Sequence, residues 1–416
     1  MEATAIKLWN KNFLLMVSGQ FISIFGNAVL TFALPLYILY LTDSAALYGL
    51  VLGLPYAAFL IASPIGGLMA DRLKKQRIMF WLDTTVTAII VLFTIASGLF
   101  IAIVPIVILK LFALNAIQSM YTPTVYASIP LLTPSDKLVR ANSVVTTVDT
   151  ISNLAAPAAA GFLFISFGLF PILVVCAICF AITAIIDLFI RIPYEKQQTN
   201  RGILQIVKSD MTEAIHFIIK KNATLIRIAV LYFVVPMLVG PIIVVGIPIF
   251  ITQHFDMGME YIGIIKTIGW GGAVLGSLLA GFLGERLSIK SVPLTSILLG
   301  LTIVPIGAIL LFTIPFFASY VIMTIAAVAY FAVFILFIIP INAHIQKVVP
   351  EELLGKVASL FNVIPFFASG VGFTLFGILF EQFYSVSWLV IFVAALICSI
   401  VTLILRKQFM EAKADV

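Results

Sequence analysis

Apolar positions in this chain run on in long stretches, broken only briefly by polar residues. Each stretch is long enough to cross a bilayer as a helix, which takes roughly 20 residues. They predict helices over 12–41, 45–70, 77–99, 103–131, 139–166, 168–191, 223–252, 259–284, 289–314, 317–344, 355–380 and 384–406. The longest polar stretch, 192–222, separates six of these from the other six. It divides an N-terminal bundle, 1–191, from a C-terminal bundle, 223–416. Within it Ile203, Leu204, Val207, Met211, Ala214, Ile215 and Ile218 recur at helical spacing, with Lys208, Asp210, Glu213 and Lys220 between them. That pattern predicts an amphipathic helix lying along the membrane interface, either a tether between the halves or a regulatory element.

Composition sharpens the picture. The chain has 416 residues, of which 62% are hydrophobic and 10% charged, against about 25% charged in soluble domains. A core able to hide so much apolar surface from water is not available at this size, so lipid is the solvent. The fold class is all-α, polytopic, with twelve transmembrane helices. No cleavable signal peptide is expected, since the first apolar run is too long for one and lacks a small-residue cleavage site.

The net charge of +6 does not indicate nucleic acid, because the basic residues form short clusters between apolar runs rather than a basic face. With the N-terminus placed in the cytoplasm, all of the 24 basic residues except Lys110 and Lys266 fall in cytoplasmic segments. The outer loops carry Asp43, Asp256, Glu260 and Glu381 instead. This bias predicts a multi-pass protein of the cell membrane with both termini cytoplasmic.

The halves repeat each other. Leu34-Pro35-Leu36-Tyr37-Ile38 stands against Ile247-Pro248-Ile249-Phe250-Ile251, and Gly49 against Gly263. Gly67-Leu68-Met69-Ala70-Asp71-Arg72-Leu73 stands against Gly281-Phe282-Leu283-Gly284-Glu285-Arg286-Leu287, Pro134 against Pro350 and Arg140 against Lys356. The displacement between the copies is nearly constant. Two parallel six-helix halves with a site at their interface are a transporter architecture, and neither a channel nor a membrane enzyme requires that symmetry.

Over its whole length the chain resembles a major facilitator superfamily transporter. The most specific element is the loop from Gly67 to Arg77, which is similar to the superfamily signature G-x-x-x-D-R-x-G-R-[RK]; Lys74 replaces the usual glycine. In the second copy Glu285 replaces the aspartate. The resemblance implies that Gly67, Asp71, Arg72, Lys75 and Arg77, with Gly281, Glu285 and Arg286, act as gating loops that lock the cytoplasmic face. Physically, a glycine at 67 permits close helix approach, and Asp71 can attract a helix N-terminus. The segment from Tyr121 to Pro134 resembles the end of helix 4 in the macrolide-efflux and siderophore-export branch. Ala156-Pro157-Ala158-Ala159-Ala160-Gly161 on helix 5 is similar to the G-P-x-x-G-G element of drug:proton antiporters, with two glycines replaced by alanine. Pro157 and Gly161 there serve helix bending and packing.

Charges inside membrane helices are costly and mark function. Asp83, Lys110, Asp149 and Lys266 are the candidates. The repeat sets Asp149 against Pro365, Lys110 against Ala326 and Lys266 against Leu52, so none of the three recurs and each leans toward substrate or ion coupling. Asp149 is the first candidate for a proton site, the alternative being an ion pair with Arg72 or Arg140. Asp83 is assigned to the cytoplasmic gate network. Lys110 and Lys266 either serve coupling or snorkel to the outer surface. Asp187 reads as an interfacial partner of Arg191. Gln20, Asn27, Asn115, Gln118, Asn342 and Asn362 either line a cavity or bond between helices, and 35 phenylalanines make the expected pocket apolar and aromatic.

Other chemistry is not indicated. Cys176 and Cys179 form a CxxC, which reads as a metal or redox pair or as two small apolar residues. No phosphate-binding loop is present, and His216, His254 and His344 are scattered. The expected protein is a non-enzymatic, secondary active transporter without a metal or other cofactor. It is driven by a proton gradient and exports a small amphipathic or hydrophobic compound by alternating access. A siderophore, lipid or metabolite exporter, an uptake symporter, or a non-transporting receptor are the rival readings. Its partners are the substrate and the bilayer, and the resemblance implies a monomer.

Overall fold

The structure is a computed structural model that describes residues 9–96, 103–134, 137–193, 211–219, 223–312 and 314–410. Twelve helices are long and apolar enough to cross a membrane, and no strand occurs among the described residues. In order, α1 is Lys11–Thr42; α2 is two pieces, Ala45–Gly53 and Ala57–Arg72; α3 is Lys75–Ala96. Next come α4 (Ile103–Leu132), α5 (Leu138–Phe167) and α6 (Leu169–Phe189). The seventh span, α7, is Thr224–His254, followed by α8 (Met259–Leu283) and by α9 in two pieces, Val292–Thr302 and Val304–Phe312. Last are α10 (Phe316–Val348), α11 (Glu351–Gln382) and α12 (Ser387–Met410). All twelve expected spans are present.

Three spans are less regular than their apolar runs suggest. In α2 a 3-10 turn, Leu54–Tyr56, joins the two pieces, because Pro55 offers no N–H to an α-helical ladder. In α7 two stretches of π-helix, Ile242–Gly246 and Phe250–His254, flank a short α-helical segment. Pro236, Pro241 and Pro248 each remove a donor along that span. The break in α9 falls just before Pro305.

By internal contact the chain forms two compact units. One comprises Met1–Tyr37 with Ala57–Ile203, the other Ile38–Tyr56 with Leu204–Val416. The first piece of α2 therefore belongs with the later helices, and the change of unit coincides with the 3-10 turn. Of the linker helix, residues 203, 204 and 207 lie outside the described residues; 211–219 is helical, with Ala214 and Ile218 buried and Ile215 exposed. Glu213 on it pairs with Lys356 of α11 at 2.6 Å. An exposed pair of this kind contributes little, which suits a tether.

In the first unit α3 packs on α6 and the second piece of α2 on α4. Gly66 makes the latter contact: a Cβ there would press on Met120 and the Ser119 carbonyl. In the second unit α8 packs on α10, with Gly272 and Gly276 against the Val328 and Ala332 backbone. The first piece of α2 lies against α11 backbone to backbone. A Cβ on Gly49 would stand 2.8 Å from Gly377 Cα, and one on Gly377 would stand 2.6 Å from the Ala45 carbonyl. Gly53 meets Thr374 and the Gly370 carbonyl in the same way. Gly281, by contrast, has nothing near the position of an added Cβ, so the glycine of the second signature copy makes no close approach.

These contacts set a test. Gly377→Val should lower the thermal unfolding midpoint in detergent, since overpacking a tight contact costs typically 1–3 kcal/mol or more. Gly281→Ala, in open space inside α8, should leave the midpoint unchanged or raise it by the ~0.5–1 kcal/mol that alanine gains over glycine in a helix.

Candidate functional site

The sequence-predicted residues separate into three places. The signature loops come first. Arg72 and Lys75 are partly exposed and Arg77 and Arg286 exposed, which fits the basic clusters that flank membrane helices. The side chains of Gly67, Asp71 and Glu285 lie outside the described ones. In α5, Pro157 sits inside the helix and both it and Gly161 are buried. Asp149, one helix face away, is exposed at the protein surface, and its carboxylate accepts from Asn153 Nδ2 at 3.3 Å.

A second group lies inside the first unit, and here one expectation fails. Asp187 is not an interfacial partner of Arg191. It is fully buried, while Arg191 is exposed and its backbone N–H donates to Asn12. Asp83, expected at a gate, is 1% exposed and accepts a hydrogen bond from Ser23 Oγ at 3.3 Å. Its carboxyl stands within hydrogen-bonding reach of Asp187. Gln20, expected either to line a cavity or to bond between helices, is buried one helical turn before Ser23, and its Oε1 meets no donor among the described residues. Tyr121 of α4 is buried, its hydroxyl has no partner among the described residues, and it lies in the field of both carboxyls. Gly19 leaves room beside Asp187: a Cβ on it would come to 4.0 Å from Oδ1.

Lys110 does not snorkel. It is 3% exposed, with Nζ 4.0 Å from the centre of the Phe93 ring, a cation–π contact of the kind worth most when desolvated. Lys266 is partly buried. Cys176 and Cys179 are unbridged, and Cys176 faces the Gly26 carbonyl at 3.7 Å, a small side chain against a neighbouring helix. The remaining polar candidates bond locally or between helices. Asn115 donates to the Leu111 carbonyl, Gln118 to Thr122, and Asn342 accepts from Tyr232. Asn27 is partly buried and Asn362 exposed.

The third place lies at the predicted outer end of the second unit and involves Glu381, one of the acids of the outer loops. Ser44 caps the N-terminus of α2 by accepting from the Leu47 N–H at 3.1 Å. A capping box needs an acid three residues after the cap, and Leu47 occupies that position. Glu381 of α11 supplies the carboxylate instead: its Oε2 accepts from Ser44 Oγ at 2.5 Å and from the Ala46 N–H at 2.8 Å. The turn before it is held as well. Asp43 sits at φ 47°, a conformation Asp tolerates, and Gln253 Nε2 donates to its carbonyl at 2.8 Å and its carboxylate at 2.9 Å. Thus α7 and α11 clamp the start of α2, above the glycine contacts of Gly49 and Gly53. The signal was in the chain: Gly49-x-x-x-Gly53 is a small-residue helix-packing spacing.

Comparison with known proteins agrees with this architecture. The family described as Major Facilitator Superfamily matches residues 16–373. Macrolide efflux protein A of Streptococcus pyogenes is 24% identical over 405 residues, 94% of each chain. The lysophospholipid transporter LplT of Salmonella typhimurium is 28% identical over 190 residues, 45% of this chain and 44% of that one. Among solved structures, the nucleoside transporter NupG superposes with a TM-score of 0.72 at 16% identity, over 97% of this chain and 100% of the other. A bacterial homolog of the human lysosomal transporter Spinster, inward-facing and unoccupied, gives 0.74 at 15%, over 96% and 97%. At these identities the structural likeness is one of fold.

The clamp on α2 can be tested by hydrogen exchange. Glu381→Ala removes the acceptor of the Ala46 N–H and should speed exchange in the first turn of α2 about tenfold, as expected for loss of roughly 1.5 kcal/mol in a charge-assisted bond. Glu381→Gln, which keeps an acceptor oxygen, should lie between. Unchanged exchange in Glu381→Ala would show that the carboxylate does not hold this turn.

Proposed function

The chain belongs to the major facilitator superfamily, and on that premise we propose that it is a proton-driven exporter of a small amphipathic or hydrophobic compound. It is a multi-pass membrane transporter, not an enzyme. What carries the finer reading is the likeness to macrolide efflux protein A, which spans 94% of both chains and so involves both halves. The placement of basic residues supports a cell-membrane protein with cytoplasmic termini.

The transport cycle is alternating access, in which the binding site opens to one side at a time. The first piece of α2 is fastened to α11 through Gly49, Gly53, Gly370, Gly377 and Glu381. The second piece belongs to the other unit. A helix divided in this way at Leu54–Tyr56 suits a mechanism in which the fastening at the predicted outer end is made in one state and released in the other. Asp149, exposed on α5 with its carboxylate accepting from Asn153, is the proposed residue through which a proton meets the substrate path.

A second reading is favoured by LplT, whose likeness covers 45% of this chain: export or flipping of a lysophospholipid. The two separate in one experiment. Cells expressing the chain should accumulate less of a panel of lipophilic dyes and macrolides, and an uncoupler should abolish the difference. Asp149→Asn should abolish it too while leaving expression unchanged. Full gradient-driven export in Asp149→Asn removes that residue from coupling. No effect on any compound, with movement of a labelled lysophospholipid in proteoliposomes, replaces the drug reading with the lipid one.

A further inference from the structure

Two fully buried carboxyl groups face each other between α3 and α6, and no cation among the described residues forms an ion pair with either. Asp83 is 1% and Asp187 0% exposed. Ser23 Oγ donates to Asp83 Oδ1, and no other donor among the described residues reaches Asp83 Oδ2 or either oxygen of Asp187. Among the described residues, Ser23 of α1 and Tyr121 of α4 face the pair, and Thr183 of α6 lies beside Gly19 next to Asp187. Thr183 spends its hydroxyl on the Cys179 carbonyl at 3.0 Å. Arg191 beyond α6 is exposed and turned to Asn12 through its backbone. Two bare negative charges in this setting would each carry a desolvation cost of several kcal/mol. Two carboxyls at hydrogen-bonding range form a hydrogen bond only if one of them holds a proton.

The internal repeat shows what this position requires structurally. The displacement between the copies sets α3 against α9 and α6 against α12. There Ser296 stands near the counterpart of Asp83 and Thr402 near that of Asp187. These two are fully buried, and their hydroxyls bond to each other at 2.8 Å. The second unit thus closes the same helix pair with one neutral hydrogen bond and leaves nothing unsatisfied. A scaffold role is met by Ser and Thr; carboxyls add only the ability to bind and release a cation. Tyr121, whose buried hydroxyl meets no partner among the described residues, adds a further oxygen beside the carboxyls, and a set of oxygens suits a proton or another hard cation.

We propose that Asp83 and Asp187 share one exchangeable proton, forming a proton-binding site inside the first unit, separate from Asp149. The proton lies between the two carboxyls, Ser23 holds the outer oxygen of Asp83, and parting of α3 from α6 by about the length of a hydrogen bond, ~3 Å, would release it. The inference deepens the proton-driven reading by naming a residue pair, and it is tested by proton binding itself, without reference to any exported compound.

The experiment is infrared difference spectroscopy on the purified full chain in lipid nanodiscs, titrated from neutral to alkaline pH in H2O and in D2O. Wild type should show the C=O stretch of a protonated, buried carboxylic acid at neutral pH, shifted in D2O and lost as one proton leaves at alkaline pH. Asp83→Asn and Asp187→Asn should each remove or shift that band, and Asp149→Asn should leave it in place. Should either asparagine variant fail to fold, the pair Asp83→Ser with Asp187→Thr copies the arrangement the second unit already tolerates; it should fold and lack the band. A spectrum with no protonated carboxyl at neutral pH overturns the proposal. So does a band unchanged in the Ser/Thr variant, or one removed by sodium at constant pH and ionic strength, which would make the site a metal-cation site. If the band behaves as expected while no gradient-dependent export is found for any compound, the site stands and the exporter reading falls.

Discussion

The bilayer offers no hydrogen bonds, and most of this structure follows from that. Every backbone group inside it must find a partner within the protein, so the spans are helices. The same pressure reaches the short polar side chains. Thr84, Thr87 and Ser128 each donate to the carbonyl four residues earlier in their own helix. A hydroxyl used in this way is chemically silent; it slightly bends its helix and does little else. Against that background, the polar groups that do not bond into their own helices stand out. Among the described residues, two places gather several of them: the start of α2 and the contact between α3 and α6.

Those two places use opposite means to join helices. Where α2 meets α11 the side chains are removed: Gly49, Gly53, Gly370 and Gly377 bring backbones together, and dispersion over the close contact holds them. A single carboxylate, Glu381, then finishes the end of the seam by satisfying the N–H groups that a helix start leaves open. Such a seam is strong when closed, yet it separates without leaving a charge in lipid. Between α3 and α6 the contact is made through Asp83 and Asp187, whose separation changes the cost of each charge. The first kind of joint suits a contact that is made and broken. The second suits one that registers whether a proton is present.

The twelve spans were legible because a run of apolar residues about 20 long has one physical meaning in a chain with so little charge. The breaks within them were less so. Pro55, Pro241 and Pro248 mark where the ladder must change, yet whether a proline kinks, forms a 3-10 turn or induces π-helix depends on what packs beside it. The grouping of 38–56 with the later helices was illegible for the same reason: it depends on Gly370 and Gly377, more than three hundred positions away in the chain. Asp83, Lys110 and Asp187 could be seen to lie in membrane helices, but their surroundings could not. Distance from a helix end suggested an interfacial Asp187 and left Lys110 free either to serve coupling or to snorkel. Packing put both in the interior, because helix rotation decides burial and an almost uniformly apolar helix gives no periodic signal of its rotation.

The repeat carries information that periodicity lacks. Because the two halves descend from one pattern, each position in one half has a control in the other. Gly67 and Gly281 recur between the halves. Ser296 and Thr402 show that the α9–α12 joint needs only a neutral hydrogen bond, which makes the carboxyls of α3 and α6 a departure from the plan rather than part of it. The departure carries an energetic penalty in the middle of the first unit, at a place with Gly19 beside it and Tyr121 across from it. A buried pair of this kind persists where the charge state itself is used. In a chain built from two copies of one half, the asymmetry between the copies is therefore the most direct pointer to what this particular transporter does beyond holding its fold.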